Sequence, residues 1–292
     1  MKVLLADSYG FCYGVKRVVD KLNELLDQHG KVYTYGQLIH NNQFTERMTQ
    51  RGMRLINELS EIETLPKDAV VLTRAHGVLK DEMDSLQKSG RVIVDGTCPF
   101  VKAVHIKASV LENEGYTVLL IGDRNHPEVR SALSYMSDPI IVESPEDLNR
   151  PEIRERLSQV KRLGVVMQTT QSADNVSQIV KHLLDMSIDE IKLFNTRCNA
   201  TEERQTAARR LAHKVDVMLV IGGKHSANTR RLYQLCSAIT RSYHIETKDD
   251  IHKEWFYRED GSPVERVGIT AGASTPDWVI RDVVDYLNSL SL

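Results

Sequence analysis

The sequence predicts an α/β protein built from three related α/β units that each contain a mostly parallel sheet. Two observations support this prediction. Short runs rich in aliphatic and β-branched residues alternate with stretches of helical periodicity along the whole chain, which is typical of parallel strands joined by crossover helices. The same succession of features also recurs from three separate cysteines, which indicates an internal repeat.

The predicted strands are short apolar runs bounded by turn residues. In chain order they read "KVLLAD", "KVYTYG", "AVVLTRA", "RVIVDG", "YTVLLIG", "PIIVE", "LGVVMQT", "IKLFNT", "VMLVIGG", "SYHIET" and "RVGITAG". Stretches such as "KRVVDKLNELL" lie between them and place apolar residues at helical spacing. Because no segment rich in Pro, Gly or Ser separates the units, we expect the units to pack tightly.

The repeat is clearest when positions are counted from three cysteines that each follow a predicted strand and precede a predicted helix. These cysteines are Cys12, Cys98 and Cys198. The positions 28 residues further on again end a strand and open a helix, and they are His40, His126 and Ser226. Another polar position follows in each unit, at His76, at Thr169 and Thr170, and at Ser274. We call these polar positions after the cysteines the polar stations. The repeat predicts units over residues 1–96, 97–193 and 194–292.

The neighbours of the first cysteine indicate that a ligand approaches it closely. Gly10 and Gly14 surround Cys12 in "GFCYGV", and glycines let the backbone turn sharply beside a ligand. Open parallel sheets bind their ligands outside the carboxyl ends of the strands. We therefore expect the three cysteines and the polar stations to meet at one centre.

Three thiolates with an open position fit either a catalytic zinc or an iron–sulfur cluster with one iron that the protein does not ligate. The chain has neither a CxxC pair nor a ferredoxin-type run, so the spacing does not choose between these metals. The fourth cysteine, Cys236, follows Leu232 and Leu235 at helical spacing. That spacing predicts a packing role for Cys236.

The polar stations predict an anion site. Histidine, serine, threonine and asparagine side chains at helix N-termini, together with backbone N–H groups, suit a phosphate or a diphosphate. The stretch "IGGKHSANT" is not a Walker A motif, because Met218 stands where the first glycine belongs and His225 follows the lysine.

The composition excludes several classes of partner. The chain of 292 residues has 38 Lys and Arg against 40 Asp and Glu, so it has no net attraction to nucleic acid or to an anionic membrane. The opening "MKVLLADSYG" contains an apolar run of only four residues, which is too short for a signal peptide, and no later run approaches a membrane span. We expect a cytoplasmic protein whose cysteines do not form disulfides.

Nine motifs follow one another along nearly the whole chain: "GFCYGVKR", "IHNNQ", "RAHGV", "DGTCPFVK", "HPEV", "QTT", "CNATEERQ", "GGKHSANTRRL" and "GASTP". They resemble the motifs of the 4-hydroxy-3-methylbut-2-enyl diphosphate reductase family. The resemblance implies a trefoil of three pseudo-symmetric α/β units around one central 4Fe-4S cluster. It also implies reductive removal of an allylic hydroxyl to give isopentenyl diphosphate and dimethylallyl diphosphate, the last step of the non-mevalonate isoprenoid pathway. Electrons would come from a low-potential donor such as ferredoxin or flavodoxin.

The resemblance assigns roles to individual residues by motif. The cluster ligands would be Cys12, Cys98 and Cys198. The diphosphate would contact His40, His76, His126, Ser226, Asn228 and Ser274. Glu128 and Thr169 would lie beside the substrate hydroxyl, where Glu128 donates a proton and Thr169 binds and orients the hydroxyl.

Four positions differ from the usual pattern of the family. Ala227 stands where a second serine often follows the first, so one hydroxyl donor to the diphosphate is missing. Asn125 and Ser131 replace glycines around "HPEV", and Gly96 replaces the usual alanine before "TCP". We expect the last three differences to affect loop geometry more than chemistry.

Two other functions are compatible with the residues. One is a non-redox iron–sulfur dehydratase, in which an open iron acts as a Lewis acid; its turnover would not depend on a low-potential electron donor. The other is a phosphometabolite-binding protein with a structural zinc. Finding iron with sulfide in anaerobically purified protein would exclude that second alternative.

Overall fold

The computed structural model describes residues 1–39, 41–224 and 226–290, which contain twelve strands and eleven α-helices. The strands are β1 (Lys2–Leu5), β2 (Val32–Tyr35), β3 (Met53–Ile56), β4 (Val70–Thr73), β5 (Val92–Val94), β6 (Thr117–Ile121), β7 (Ile140–Val142), β8 (Arg162–Met167), β9 (Glu190–Leu193), β10 (Val217–Ile221), β11 (Arg241–Ile245) and β12 (Arg266–Ala271). The α-helices are α1 (Tyr13–His29), α2 (Asn42–Gln50), α3 (Leu59–Thr64), α4 (Lys80–Lys88), α5 (Pro99–Asn113), α6 (Pro127–Leu133), α7 (Pro151–Ser158), α8 (Ala173–Leu184), α9 (Ala200–Ala212), α10 (Ala227–Ser237) and α11 (Asp277–Ser289). Short 3-10 helices lie at Pro145–Asn149, Lys248–Asp250 and Lys253–Phe256.

The strands form three four-stranded sheets that share one internal order. The orders are β3-β2-β4-β5, β7-β6-β8-β9 and β11-β10-β12-β1. Every strand pair within these sheets is parallel. In each sheet the strand that precedes one of the three cysteines lies at the same edge. The prediction of three α/β units with parallel sheets is confirmed.

The described chain divides into two compact units. One consists of Met1–Lys16, Ile39–Gln50 and Asn199–Leu292 and contains the sheet of β1, β10, β11 and β12. The other consists of Arg17–Leu38 and Arg51–Cys198 and contains the other two sheets. The N-terminal strand β1 pairs with β12, so it joins the sheet formed by the last part of the chain. The boundaries that the repeat suggests, at 96/97 and 193/194, stay a prediction.

The apolar core lies on both faces of the sheets. Strand β10, "VMLVI", is buried at every position, because the central strand of a parallel sheet is covered by helices on both sides. Cys236 is completely buried beside this strand and packs in a cluster with Leu232 and Val220, which agrees with its predicted packing role. No helix in the described ranges is long and apolar enough to cross a membrane.

The sequence analysis did not predict strand β3. Its sequence, "MRLI", buries Met53 and Ile56 at the two ends and exposes Arg54 and Leu55 between them. This burial pattern is neither an alternation nor a continuous apolar run, so periodicity gives no strand signal. Strand β3 forms because its backbone pairs with β2 at the edge of the sheet, where Val32 lies opposite Met53.

Candidate active site

The three cysteines occupy equivalent positions in the three sheets. Each cysteine N–H donates a hydrogen bond to the carbonyl that lies two residues past the end of the adjacent strand. The pairs are Cys12 with Ala273 at 3.4 Å, Cys98 with Ala75 at 2.9 Å and Cys198 with Thr169 at 2.8 Å. These bonds hold each cysteine at the carboxyl edge of its own sheet, which is the edge where parallel sheets bind ligands.

Burial divides the four cysteines into two kinds. Cys12, Cys98 and Cys198 are partly exposed, whereas Cys236 is buried. Burial raises the pKa of the Cys236 thiol to about 11, which opposes the thiolate form that a metal requires. Partial exposure leaves the thiols of Cys12, Cys98 and Cys198 accessible from solvent. Among the described residues, no group of three or more His, Cys, Asp or Glu side chains is arranged to hold a metal ion by itself.

Two glycines allow the backbone conformation and the close packing of the turns before Cys12 and Cys98. Gly10 has a φ of +67°, a left-handed conformation that favours glycine, and its N–H donates to the carbonyl of Ala271. At Gly96, a Cβ atom would lie 1.9 Å from the carbonyl oxygen of Thr73. The loop before Cys98 therefore approaches β4 more closely than an alanine in its place would allow.

Two residues that the sequence analysis did not identify support the cysteine loops. Asp95 lies three residues before Cys98, and its Oδ1 accepts the N–H of Thr97 at 2.9 Å. Asn195 lies three residues before Cys198, and its Oδ1 accepts the N–H of Arg197 at 3.4 Å. Asp and Asn stabilise turns through such bonds to the backbone two residues on. The sequence signal that could have identified these two residues is the Asp or Asn three positions before the cysteine, in "DGTC" and "NTRC".

Glu128 and Thr169 form a buried hydrogen-bonded pair, with 3% and 5% of their surfaces exposed. Oε1 of Glu128 accepts the N–H of Thr169 at 2.6 Å, and Oε2 accepts its hydroxyl at 2.8 Å. Burial raises the pKa of Glu128, and the two bonds from Thr169 oppose this shift without reversing it. A carboxyl group with a raised pKa is suited to act as a general acid near neutral pH.

The raised pKa of Glu128 predicts a specific dependence of stability on pH. The native state binds this proton more tightly than the unfolded state, in which the pKa is near 4.5. The contribution of Glu128 to the free energy of unfolding therefore declines as the pH rises from 4.5 through the native pKa, and it stays constant above that value.

Glu128→Gln should remove this decline because the amide does not titrate. Urea unfolding of the metal-free parent and variant at successive pH values measures the effect. The stability of the variant relative to the parent should increase across the window. A difference that is constant with pH would contradict the raised pKa.

Two of the residues predicted to bind the diphosphate, His76 and His126, lie next to each other. His126 is the N-cap of α6, and its Nδ1 accepts the N–H of Glu128 at 3.2 Å. In the neutral ring this bond places the proton on Nε2. The two rings meet edge to face, with centroids 5.6 Å apart. These contacts join the loop after β4 to the helix after β6.

Ser131 strengthens the same junction. It is almost fully buried, and its hydroxyl donates to the carbonyl of Val78 at 2.8 Å. Nearby, the N–H of Lys80 donates to Oγ of Ser134 at 2.9 Å. A glycine at position 131 would have no side chain to make the first bond. Ser131 therefore affects loop geometry, because its hydroxyl ties the His76 loop to α6.

The third group of predicted residues follows the adjacent strands β10 and β12. Ser226 is the N-cap of α10 and accepts the N–H of Thr229 at 3.3 Å, and Asn228 lies in the first turn of that helix. Ser274 lies in the loop after β12, beside Thr275, whose hydroxyl donates to the carbonyl of Ile221 at 3.0 Å. These bonds hold both loops at the carboxyl end of one sheet.

His40, the remaining predicted diphosphate residue, lies outside the described residues, and so does the side chain of Ala227. The residue after His40 is Asn41, whose Oδ1 accepts the N–H of Phe44 at 2.9 Å. This bond caps the start of α2.

This chain is similar to known proteins over nearly its full length. The family model described as "LytB protein" matches residues 3–288. A 4-hydroxy-3-methylbut-2-enyl diphosphate reductase from Geobacter sulfurreducens is 41% identical over 288 residues, which cover 98% of this chain and 97% of that protein. The reductase of the same name from Aquifex aeolicus is 42% identical over 294 residues, with coverage of 99% and 96%.

Solved structures show the same fold. One is described as the structure of "(E)-4-Hydroxy-3-methyl-but-2-enyl Diphosphate Reductase, the Terminal Enzyme of the Non-Mevalonate Pathway". It is 41% identical to this chain with a TM-score of 0.80, and the match covers 99% of this chain and 100% of that one. A reductase structure from Plasmodium falciparum is 26% identical with a TM-score of 0.80, covering 99% and 88%. Because the family model and the relatives match nearly the full length, this chain belongs to the LytB family of 4-hydroxy-3-methylbut-2-enyl diphosphate reductases.

Proposed function

We propose that this chain is an oxidoreductase that converts 4-hydroxy-3-methylbut-2-enyl diphosphate into isopentenyl diphosphate and dimethylallyl diphosphate. The reaction replaces the allylic hydroxyl by hydrogen, consumes two electrons and two protons, and releases water. Within the site, the observation that carries the proposal is the buried Glu128–Thr169 pair. Hydroxide is a poor leaving group, so the enzyme needs a positioned acid to release it as water.

Cys12, Cys98 and Cys198 are the proposed ligands of one 4Fe-4S cluster, which when bound supplies single electrons and one iron open to the substrate oxygen. Two observations support this assignment: the three cysteines make equivalent backbone hydrogen bonds, and all three are partly exposed. A low-potential protein such as ferredoxin or flavodoxin is the proposed source of the two electrons.

Glu128 delivers the proton in this proposal. Its raised pKa favours the protonated carboxyl group, and transfer of that proton to the departing oxygen leaves a carboxylate. The N–H and hydroxyl of Thr169 then stabilise the carboxylate through the two bonds that they already make. Thr169 also fixes the orientation of the carboxyl group, since both carboxyl oxygens have a partner on the same residue.

The diphosphate is bound by neutral donors in this proposal. His126 offers Nε2–H, and Ser226, Asn228 and Ser274 offer side-chain donors at the carboxyl end of one sheet. His40 and His76 complete the proposed set. Backbone N–H groups at the start of α10 add a favourable dipole for the anion.

Ser226→Ala and Asn228→Ala should each weaken substrate binding by about 1–3 kcal/mol, because each removes a hydrogen bond to a charged group. Isothermal titration of the anaerobic protein with the diphosphate substrate measures this loss. Ser289→Ala is the control, because its hydroxyl bonds only a local carbonyl in α11 among the contacts described. Equal affinity for the substrate and for its alcohol without diphosphate would contradict the anion site.

The proposed function is tested on anaerobically purified protein. We expect a brown protein that contains iron and acid-labile sulfide, and that forms both products from the substrate when a low-potential reductant is added. Turnover without any reductant would indicate a dehydratase instead. Bound zinc without sulfide, together with no turnover, would overturn the proposal and favour a binding protein.

A further inference from the structure

Two arginines contact the backbone immediately before two of the cysteines. Arg17 Nη1 donates to the carbonyls of Gly96 and Thr97, both at 3.3 Å. Arg204 Nε donates to the carbonyl of Gly10 at 3.0 Å. Gly96 and Gly10 each lie two residues before a cysteine, so both guanidinium groups meet the cysteine turns at the corresponding point.

The arginines themselves occupy related positions in the repeat. Arg17 lies on α1, five residues after Cys12, and Arg204 lies on α9, six residues after Cys198. The corresponding positions after Cys98 are Ala103 and Val104. Each arginine therefore lies on the helix that follows one cysteine and contacts the loop that precedes another.

The loop before Cys198 is held by a neutral group instead. The hydroxyl of Thr196 accepts the N–H of Met167 at 2.9 Å and also lies within hydrogen-bond distance of the carbonyl of the same residue. Thr196, like Gly10 and Gly96, is two residues before its cysteine. A hydroxyl thus contributes to anchoring this turn, whereas the arginines that contact the other two turns also bring a positive charge there.

Burial makes this charge significant. Arg204 is only 4% exposed and its guanidinium is always protonated, so solvent and salt screen its charge less than that of an exposed arginine. A cluster held by three thiolates is anionic and gains one more negative charge on reduction. A fixed cation close to its ligands stabilises the reduced state, and the potential of an iron–sulfur cluster depends on the charges and hydrogen bonds around it.

We infer that Arg17 and Arg204 are positioning residues that fix the turns of Cys98 and Cys12, and that their charges raise the reduction potential of the bound cluster. The inference rests on the proposed function, because it takes Cys12, Cys98 and Cys198 as the cluster ligands.

The experiment compares Arg17→Gln, Arg17→Lys, Arg204→Gln and Arg204→Lys with two matched controls. Lys21→Gln removes a charge from a partly exposed side chain on α1 that pairs with Glu24. Arg209→Gln removes an exposed charge from α9. One measurement is amide hydrogen exchange of the metal-free protein at the three cysteine turns. The other is the reduction potential of the loaded protein, reported with its iron and sulfide content.

In metal-free protein, Arg17→Gln should speed exchange at the turn of Cys98, and Arg204→Gln should speed it at the turn of Cys12. Exchange at the turn of Cys198 should not change in either variant. In loaded protein, both Gln variants should have a more negative reduction potential than the parent. Both Lys variants should have a reduction potential close to that of the parent, and both control variants should have the parent potential.

Unchanged exchange and unchanged potential in Gln variants with full iron content would overturn the inference. A shift in potential that the Lys variants do not restore would overturn the role of charge. If Arg204→Gln does not fold, the Arg17 variants and Arg204→Lys decide the outcome by the same criteria. A parent protein without iron would refute the proposed function, whereas the exchange data from metal-free protein would still judge whether the arginines fix the turns.

Discussion

Glu128→Gln is expected to lower the rate of hydroxyl removal by about a hundredfold to ten-thousandfold, the usual contribution of a positioned general acid. The amide retains the shape of the side chain and an oxygen that can accept a bond from Thr169, but it has no acidic proton to transfer. The cluster should form normally, and the affinity for substrate should change little. Single-turnover measurements on protein with full iron and sulfide content isolate this step from binding and product release.

The chain offers a close control for this variant. Glu152 is preceded by proline and followed by an apolar residue and arginine, in "PEIR", as Glu128 is in "PEVR". Both glutamates lie in the first turn of a helix that begins with proline, but Glu152 is exposed. Glu152→Gln should leave the rate unchanged. A Glu128→Gln protein with full cluster content and a rate within a fewfold of the parent would show that another group supplies the proton.

Replacing any one of Cys12, Cys98 and Cys198 by serine is expected to remove most of the bound iron and sulfide, and turnover with it. A serine hydroxyl is a poor ligand for iron compared with a thiolate, which is the soft donor that such clusters select. Iron and sulfide analysis of anaerobically purified variants and their visible absorption measure the loss.

Cys236→Ser is the matched control for the ligand assignment. Cys236 packs against apolar side chains in the core, so serine should lower stability through a buried hydroxyl but should not remove the cluster. Full iron content in any of the three ligand variants would contradict its assignment. Loss of the cluster only in Cys236→Ser would show that the assignment of Cys12, Cys98 and Cys198 as the ligands is wrong.

Most of the fold follows from local features of the sequence. The central strands β6, β8, β10 and β12 read as apolar runs because each is buried on both faces. The equal spacing of 28 residues from Cys12, Cys98 and Cys198 to the next polar position revealed the repeat. Strand β3 was missed because its two middle residues are exposed, and its pairing with β2 depends on a partner outside its own segment.

The sequence by itself determined the α/β class, the threefold repeat and the residue types of the candidate site. These follow from periodicity and spacing, which are local properties of the chain. Only the tertiary structure decided which side chains touch: that both oxygens of Glu128 bond to Thr169, 41 residues away, and that Ser131 ties the His76 loop to α6. It also decided that Arg17 and Arg204 meet the cysteine turns, across separations of 79 and 194 residues. Burial and long-range hydrogen bonds set the pKa of a carboxyl group and the position of a charge, and neither is encoded in the residues immediately around it.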